Sequence, residues 1–235
     1  MDLRRRDGRR PLVIGHRGAA AVAPENTLAS LEAAVAAGAD LVEFDIGLDL
    51  TLSHSRREVP GETVDLDGAL DFLRAHGCGV HLDLKYVGVE RPAVDAIHRH
   101  GLAGRALVST AWPRTGRRLA AIAPDLPRAI GYPRDRLGVA RFRWPAGLTA
   151  TGAAALRTAM PARVPVLLRW SRSNVLALHH ALVSRAAVRR AHARGAPVLA
   201  WTANDEELVV RLRDLGVDAI VSDDPAMAVA TLEMT

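Results

Sequence analysis

The chain has 235 residues, a formal net charge of +5, 49% hydrophobic and 24% charged residues, which is a globular balance rather than that of a disordered or fibrous chain. Its single cysteine, Cys78, excludes a disulfide scaffold and a thiolate metal cluster and fits a reducing, cytoplasmic location. No apolar run reaches the roughly 18 residues of a membrane span, no signal-like apolar core precedes Gly15, and the small positive surplus lacks aromatic interleaving, so neither membrane insertion nor nucleic-acid binding is expected.

In chain order, Leu12 to Gly15 reads as a strand and Thr27 to Ala37 as a helix closed by Gly38. Asp40 to Ile46 is a second strand, followed by a short extended piece at Leu50 to His54 and a helix over Leu66 to Ala75. Val80 to Lys85, Ala106 to Thr110 and Arg128 to Tyr132 read as strands, with helices at Pro92 to His100 and Arg114 to Ala123 between them. From Arg134 to Ser171 the pattern is broken by Pro145, Pro161 and Pro165, and VPVLL fits either a strand or an irregular apolar segment. The rhythm then resumes with Asn174 to Leu178, the helix Arg185 to Arg194, the strand Pro197 to Thr202, the helix Asp205 to Leu215 and the strand Asp218 to Val221.

Eight strand and helix units in a chain of this length predict an α/β fold of one domain over 1–235, a (β/α)₈ TIM barrel with its motif-bearing core at about 12–230. A doubly wound open sheet shares the alternation. The polar residues favour closure. His16 and Arg17 leave the first strand, Glu43 and Asp45 lie on the second, Asp83 and Lys85 on the third, Ser109 ends the fourth, and Asp223 follows the eighth. Polar groups at so many strand ends meet at one face only in a barrel.

Glu43 and Asp45 are two apart on a strand and so share a side, and Asp83 and Lys85 repeat the arrangement on the next strand. Three carboxylates brought together repel one another unless a cation sits among them, and an all-oxygen set suits Mg²⁺ or Ca²⁺. The competing reading pairs these acids with arginines at the rim. His16 and His54 suit an acid and base pair, because imidazole titrates near neutrality. His81 shares a face with Asp83, and either reaches the mouth or lies lower in the barrel; His179 and His180 end the sixth strand, and the helical histidines are assigned to the surface. Of the 31 basic residues only Lys85 is lysine, which fits a site wanting one compact cation or else coincidence.

The segment GHRGAAAVAPENTLASLEAAVAAGADLVEFD, together with HLDLK, VLAWTAN and GVDAIVSDDP, resembles the glycerophosphodiester phosphodiesterases in ordered blocks spanning 15 to 225. The resemblance implies a metal-dependent enzyme that hydrolyses glycerophosphodiesters to sn-glycerol 3-phosphate and an alcohol. It places the divalent ion on Glu43, Asp45 and Asp83, the acid and base roles on His16 and His54, the phosphate on Arg17 and Lys85, and Trp201 along the substrate cleft. Asn26 of the Pro-Glu-Asn-Thr block falls near the site, while Thr27 reads as the start of the first helix.

The sequence departs from that pattern in three places. Only 11 positions separate Glu43 from His54, the family's His-Asp pair reads His54-Ser55, and Asp83 stands where the family usually carries glutamate. With 29 positions between His54 and Asp83, the family's small inserted domain is reduced or missing, which opens the mouth toward larger diesters such as lysophospholipids. The alternatives are a phospholipase D-like enzyme acting on lysophospholipids or sphingolipids, and a catalytically silent phosphodiester-binding barrel.

Overall fold

The computed structural model describes residues 1–5, 8–52, 64–134 and 146–234, with side chains from 151 onward in the last stretch. Its strands are β1 (Leu12–Gly15), β2 (Leu41–Ile46), β3 (Gly79–Leu84), β4 (Ala106–Thr110), β5 (Arg128–Tyr132), β6 (Val175–His179), β7 (Val198–Trp201) and β8 (Ala219–Ser222). Each pairs in parallel with the next, and β8 returns to β1, so the sheet is a closed barrel. Helices α1 (Leu28–Ala36), α2 (Leu66–Ala75), α3 (Glu90–Arg99), α4 (Pro113–Ile122), α5 (Ala146–Ser171), α6 (Arg185–His192), α7 (Glu206–Leu215) and α8 (Pro225–Glu233) follow their strands in turn. The expected (β/α)₈ TIM barrel is the observed one. Among the described residues, no helix is long and apolar enough to cross a membrane.

The alternation within each strand divides the core. Outward residues such as Phe44, Leu82, Val108, Leu176 and Val198 are buried under the helices. Inward residues such as Ile14, Leu41, Leu107, Val175, Leu199 and Val221 fill the barrel itself. Both faces of a parallel strand are covered here, and truncating one of these large side chains to alanine costs about 2–5 kcal/mol. The inward set is apolar low in the barrel and becomes polar toward the carboxyl ends of the strands, which is where the site begins.

Helix starts are chosen by side chains at the caps. Thr27 accepts from the Ser30 N–H, Asp65 from Gly68, Ser184 from Ala187, Asp205 from Leu208 and Asp224 from Met227. Such caps satisfy amide groups that the helix leaves without a partner. The fixed helix ends set the lengths of the loops at the mouth.

The proline-rich stretch resolves differently from either reading of VPVLL. It is the 26-residue helix α5, with Pro161 and Pro165 inside it. Met160, Val164 and Leu168 recur every fourth residue and are buried, while the two prolines lie beside that stripe, half-buried. Each proline withholds one backbone donor, but burial of the stripe between α4 and α6 outweighs the loss, so tertiary packing overrides local propensity. After β2, Thr51 and Leu52 make the expected extended return, bridging to Asp65 and Ile46. His54 lies outside the described residues.

Candidate active site

Three strands build the floor of the mouth. Glu43 and Asp45 project inward from β2, and the register pairs Asp45 with Asp83 on β3 and Asp83 with Ser109 on β4. One carboxylate oxygen from each of Glu43, Asp45 and Asp83 lies within 4.8 Å of the others. Asp45 is fully buried and Glu43 nearly so.

The His-Arg-Gly sequence after β1 adds the second side of the site for backbone reasons. Arg17 adopts a left-handed conformation (φ 49°), and its amide donates to Glu43 Oε2 at 2.9 Å. Gly18 (φ 89°) packs so tightly on α1 that a Cβ would fall 2.3 Å from Ser30 Oγ, so only glycine fits. Asn26, itself buried, accepts from the Asp45 amide at 3.1 Å and ties the Pro-Glu-Asn-Thr loop to β2.

Cations sit among these acids. Lys85 Nζ lies 2.5 Å from Asp83 Oδ2 and 2.7 Å from Asp45 Oδ1, while Arg17 Nε lies 3.0 Å from Asp45 Oδ2 and its Nη1 2.6 Å from Glu25. Neither approach to Asp45 has hydrogen-bond geometry, so both oxygens of a fully buried carboxylate are left without a hydrogen bond. Buried polar atoms are rarely left so in a purely structural setting. Burial, followed by the neighbouring Asp45 charge, pushes the Glu43 carboxyl up to about 7. Burial also raises Asp83, but Lys85 and the Ser109 hydroxyl outweigh it and hold that group down at about 2.

The residues therefore fit a hard divalent ion. The donors are all carboxylate oxygens, they converge, and those of Asp45 meet only the charges of Lys85 and Arg17, without a hydrogen bond. With all three acids ionised, Glu43, Asp45 and Asp83 set against Arg17 and Lys85 leave one net negative charge. A divalent ion would reverse this to one positive charge, the complement of a phosphodiester monoanion.

His16 stands beside the acids, its Nε2 4.0 Å from Glu43 and its Nδ1 2.5 Å from Asp223 Oδ1. Burial is the largest influence on this imidazole and disfavours its charged form, but Asp223 and Glu43 together outweigh it and raise the pKa. Asp223 is held in turn by Asn204, whose amide donates to Oδ2 and whose carbonyl oxygen accepts from the Asp223 N–H at 3.0 Å. A cleft of about 470 Å³ opens over His16 and Arg17, walled by Ala20, Ala21, Asn204 and Asp223. A second cleft of about 430 Å³ at the foot of the barrel is lined by Arg169 and Arg194 with no carboxylate or histidine, so size alone does not mark the site.

Six of the residues singled out from the sequence, His16, Arg17, Glu43, Asp45, Asp83 and Lys85, are thus linked by direct contacts at the mouth. Trp201 stands on β7 opposite His179, ring centroids 5.1 Å apart, and its half-buried ring also rests on the apolar barrel interior. His81 takes the lower of its two expected positions, buried beneath Asp83. The partners of His16 were not assigned roles from the sequence. Their signal was present: Asp223 lies in GVDAIVSDDP and Asn204 closes VLAWTAN, and barrel closure makes β7, β8 and β1 neighbours.

The family model for the glycerophosphoryl diester phosphodiesterase family matches residues 16–49 and 136–227, more than half of the chain. The chain belongs to that family. It is accordingly a phosphoric diester hydrolase by membership. It is 26% identical over 231 residues to YhdW of Bacillus subtilis, which carries the same family name, covering 91% of this chain and 94% of that one. It is 24% identical over 260 residues to a glycerophosphodiester phosphodiesterase of Caldanaerobacter subterraneus, with the same two coverages of 91% and 94%. A phosphodiesterase of Oleispira antarctica, solved in complex with the product sn-glycerol-3-phosphate, superposes with a TM-score of 0.72 at 24% identity over 95% of this chain and 97% of its own. Asp83 and Lys85 fall between the two matched stretches of this phosphodiesterase, so their place in the site rests on the barrel register.

Proposed function

We propose that this family member hydrolyses small glycerophosphodiesters to sn-glycerol 3-phosphate and an alcohol, with a divalent ion, Mg²⁺ or Ca²⁺, held by Glu43, Asp45 and Asp83. The observation that carries the reading is the buried Asp45 carboxylate, which faces two cations and two neighbouring acids without one hydrogen bond. When bound, such an ion supplies Lewis-acid polarisation of a hydroxyl and a phosphoryl oxygen.

The remaining work falls to the chain's own side chains. Arg17 and Lys85, already at the acids, turn toward the phosphate and offset the charge that gathers on its oxygens. His16 moves a proton at Nε2, because Nδ1 is committed to Asp223, which fixes the ring and favours the imidazolium. His54 is the second proton carrier: one histidine takes the proton of the glycerol 2-hydroxyl as that oxygen attacks phosphorus, the other protonates the alcohol oxygen as its P–O bond breaks, and water then opens the cyclic phosphate to sn-glycerol 3-phosphate. Trp201 borders the cleft. The whole chain works as one domain, and the lone Cys78, buried with its thiol raised to about 11 by that burial, supports a cytoplasmic location.

The test is a chelator-stripped sample assayed on a panel of glycerophosphodiesters and lysophospholipids. Release of sn-glycerol 3-phosphate only after Mg²⁺ or Ca²⁺ is restored is the expected result. Full activity without divalent ion would remove the metal from the reading, and turnover confined to lysophospholipids would transfer the protein to the phospholipase D-like alternative. In the same assay, His54→Ala is expected to lower kcat by about 10² to 10⁴-fold, recovering with a nitrophenyl leaving group if His54 is the acid.

A further inference from the structure

Directly beneath the three acids lies a polar chain that the proposed reaction does not use. Ser109 on β4 donates to Asp83 Oδ1 at 2.6 Å, and His81 Nε2 lies 2.8 Å from the Ser109 Oγ. All three project into the barrel: Asp83 pairs with Ser109 in register, and His81 lies two residues before Asp83 on the same strand face. We infer that His81 and Ser109 are positioning residues, a buried two-step hydrogen-bond relay that fixes the Asp83 carboxylate for the divalent ion.

The direction of each bond follows from what each atom can offer. Asp83 Oδ2 is 2.5 Å from the Lys85 ammonium, so Asp83 is a carboxylate and can only accept. The Ser109 proton therefore points to Oδ1, and the Ser109 oxygen must take its own hydrogen bond from elsewhere. His81 supplies it through an Nε2–H, which assigns the neutral ring's proton to Nε2 and leaves Nδ1 as a bare acceptor. Nδ1 is indeed buried with no partner. With one oxygen bound by Ser109 and the other by Lys85, the short Asp83 side chain loses its freedom to rotate.

Packing does not account for His81. His81 is buried, pairs in register with Glu43 on β2 and Leu107 on β4, and a leucine at its position would leave no orphaned nitrogen. The histidine makes one hydrogen bond and that bond leads to Asp83. Partners of metal-binding carboxylates act in this way, setting ligand orientation without touching the ion.

The inference rests on the reading of Asp83 as a cation ligand, and the experiment separates the two. Calorimetric titration of Mg²⁺ or Ca²⁺ into the chelator-stripped full chain is the measurement, with the melting temperature of the metal-free chain followed in parallel. Ser109→Ala is expected to weaken binding by about 10 to 100-fold. His81→Leu shifts binding the same way by less, and His81→Gln, which keeps a donor, recovers most of the loss. Combining Ser109→Ala with His81→Leu is expected to weaken binding no further than Ser109→Ala alone, because His81 acts through Ser109. A pair with a merely structural role would lower the melting temperature and leave binding unchanged, which would overturn the relay. If Asp83→Asn weakens binding at least about tenfold while Ser109→Ala and His81→Leu bind as the parent does, the relay alone falls. If the parent binds neither ion, or Asp83→Asn changes nothing, the metal reading and the relay fall together. Should Ser109→Ala not fold, equal affinities of His81→Leu and His81→Gln overturn the relay.

Discussion

The two ends of the barrel carry acids of similar sequence appearance and opposite condition. At the foot, Asp218 accepts from the Arg5 amide at 2.9 Å, the Val198 amide at 2.7 Å and His192 at 2.7 Å. Asp40 there accepts from the Val13 amide at 2.7 Å and from Arg10 at 2.6 Å. At the mouth, Asp45 is more deeply buried than either, yet neither of its oxygens has a hydrogen bond. The foot acids are therefore satisfied parts of the fold that pin incoming strands. At the mouth, Asp45 is held among cations and acids without a hydrogen bond while Glu43 and Asp83 converge on it, the condition expected of a group kept for a ligand.

Neutralising one acid at each end is the strongest way to break this contrast. Asp45→Asn keeps the shape but removes a charge from the cluster, and kcat/KM is expected to fall on the order of 10³-fold while the fold persists. Steady-state kinetics with circular dichroism checks it, and activity within about tenfold of the parent would end the reading of Asp45 as functional. Asp218→Asn reverses the outcome. It turns an amide NH₂ toward donors that a carboxylate accepted, so stability is expected to drop by about 1–3 kcal/mol with activity per folded molecule unchanged. Urea unfolding and a parallel assay measure both.

That contrast also explains what was legible in the sequence. The strands emerge within a residue or so of where the short apolar runs place them, because each run is brief, bounded by glycine or polar residues, and buried on both faces. Glu43, Asp45, Asp83 and Lys85 were visible because strand periodicity is local. The pairing of His16 with Asp223 was not, because 207 residues separate them and only closure of β8 on β1 brings them together. The long α5 was hidden by a different cause: the prolines dominate any local reading of VPVLL, and the Met160, Val164 and Leu168 stripe acquires meaning only against α4 and α6. Nor does sequence tell a satisfied acid from an orphaned one. Asp40 immediately precedes β2 and Asp45 lies five residues on, near its carboxyl end, and their difference is entirely in what the fold brings to them.

A smaller effect sharpens the contrast through pH. Burial works against the His16 imidazolium, but Asp223 and Glu43 raise its pKa above 6.5. A raised histidine contributes stability that is fully present below the ordinary pKa and is lost as pH rises through the raised value. Asp223→Asn removes the main raising partner, so its melting temperature is expected to fall furthest below the parent near about pH 5 and to converge with it near about pH 9. The limb of the kcat/KM profile carried by His16 should move toward acid in the same variant. An unshifted limb together with a pH-independent stability difference would mean that Asp223 holds the loop rather than the ring.

The smallest expected change comes from an arginine at the foot that resembles Arg17 on paper. Arg10 pairs with Asp40 as Arg17 pairs with Asp45, but Arg10 and Asp40 are 27% and 29% exposed in their side chains, so water competes for both partners. Removing the guanidinium in Arg10→Ala leaves Asp40 with its bond from the Val13 amide. The expected loss is therefore about 1 kcal/mol or less, shrinking further in high salt, with kcat and KM unchanged. Arg17→Ala, by contrast, strips a cation from the fully buried Asp45 and from the proposed phosphate position, and should register mainly in kcat/KM. A catalytic defect in Arg10→Ala, or a stability loss well above that figure and indifferent to salt, would show that the foot is not the passive end of the barrel. Equal behaviour of the two variants would mean that arginine content, rather than the state of the acid it faces, governs both ends.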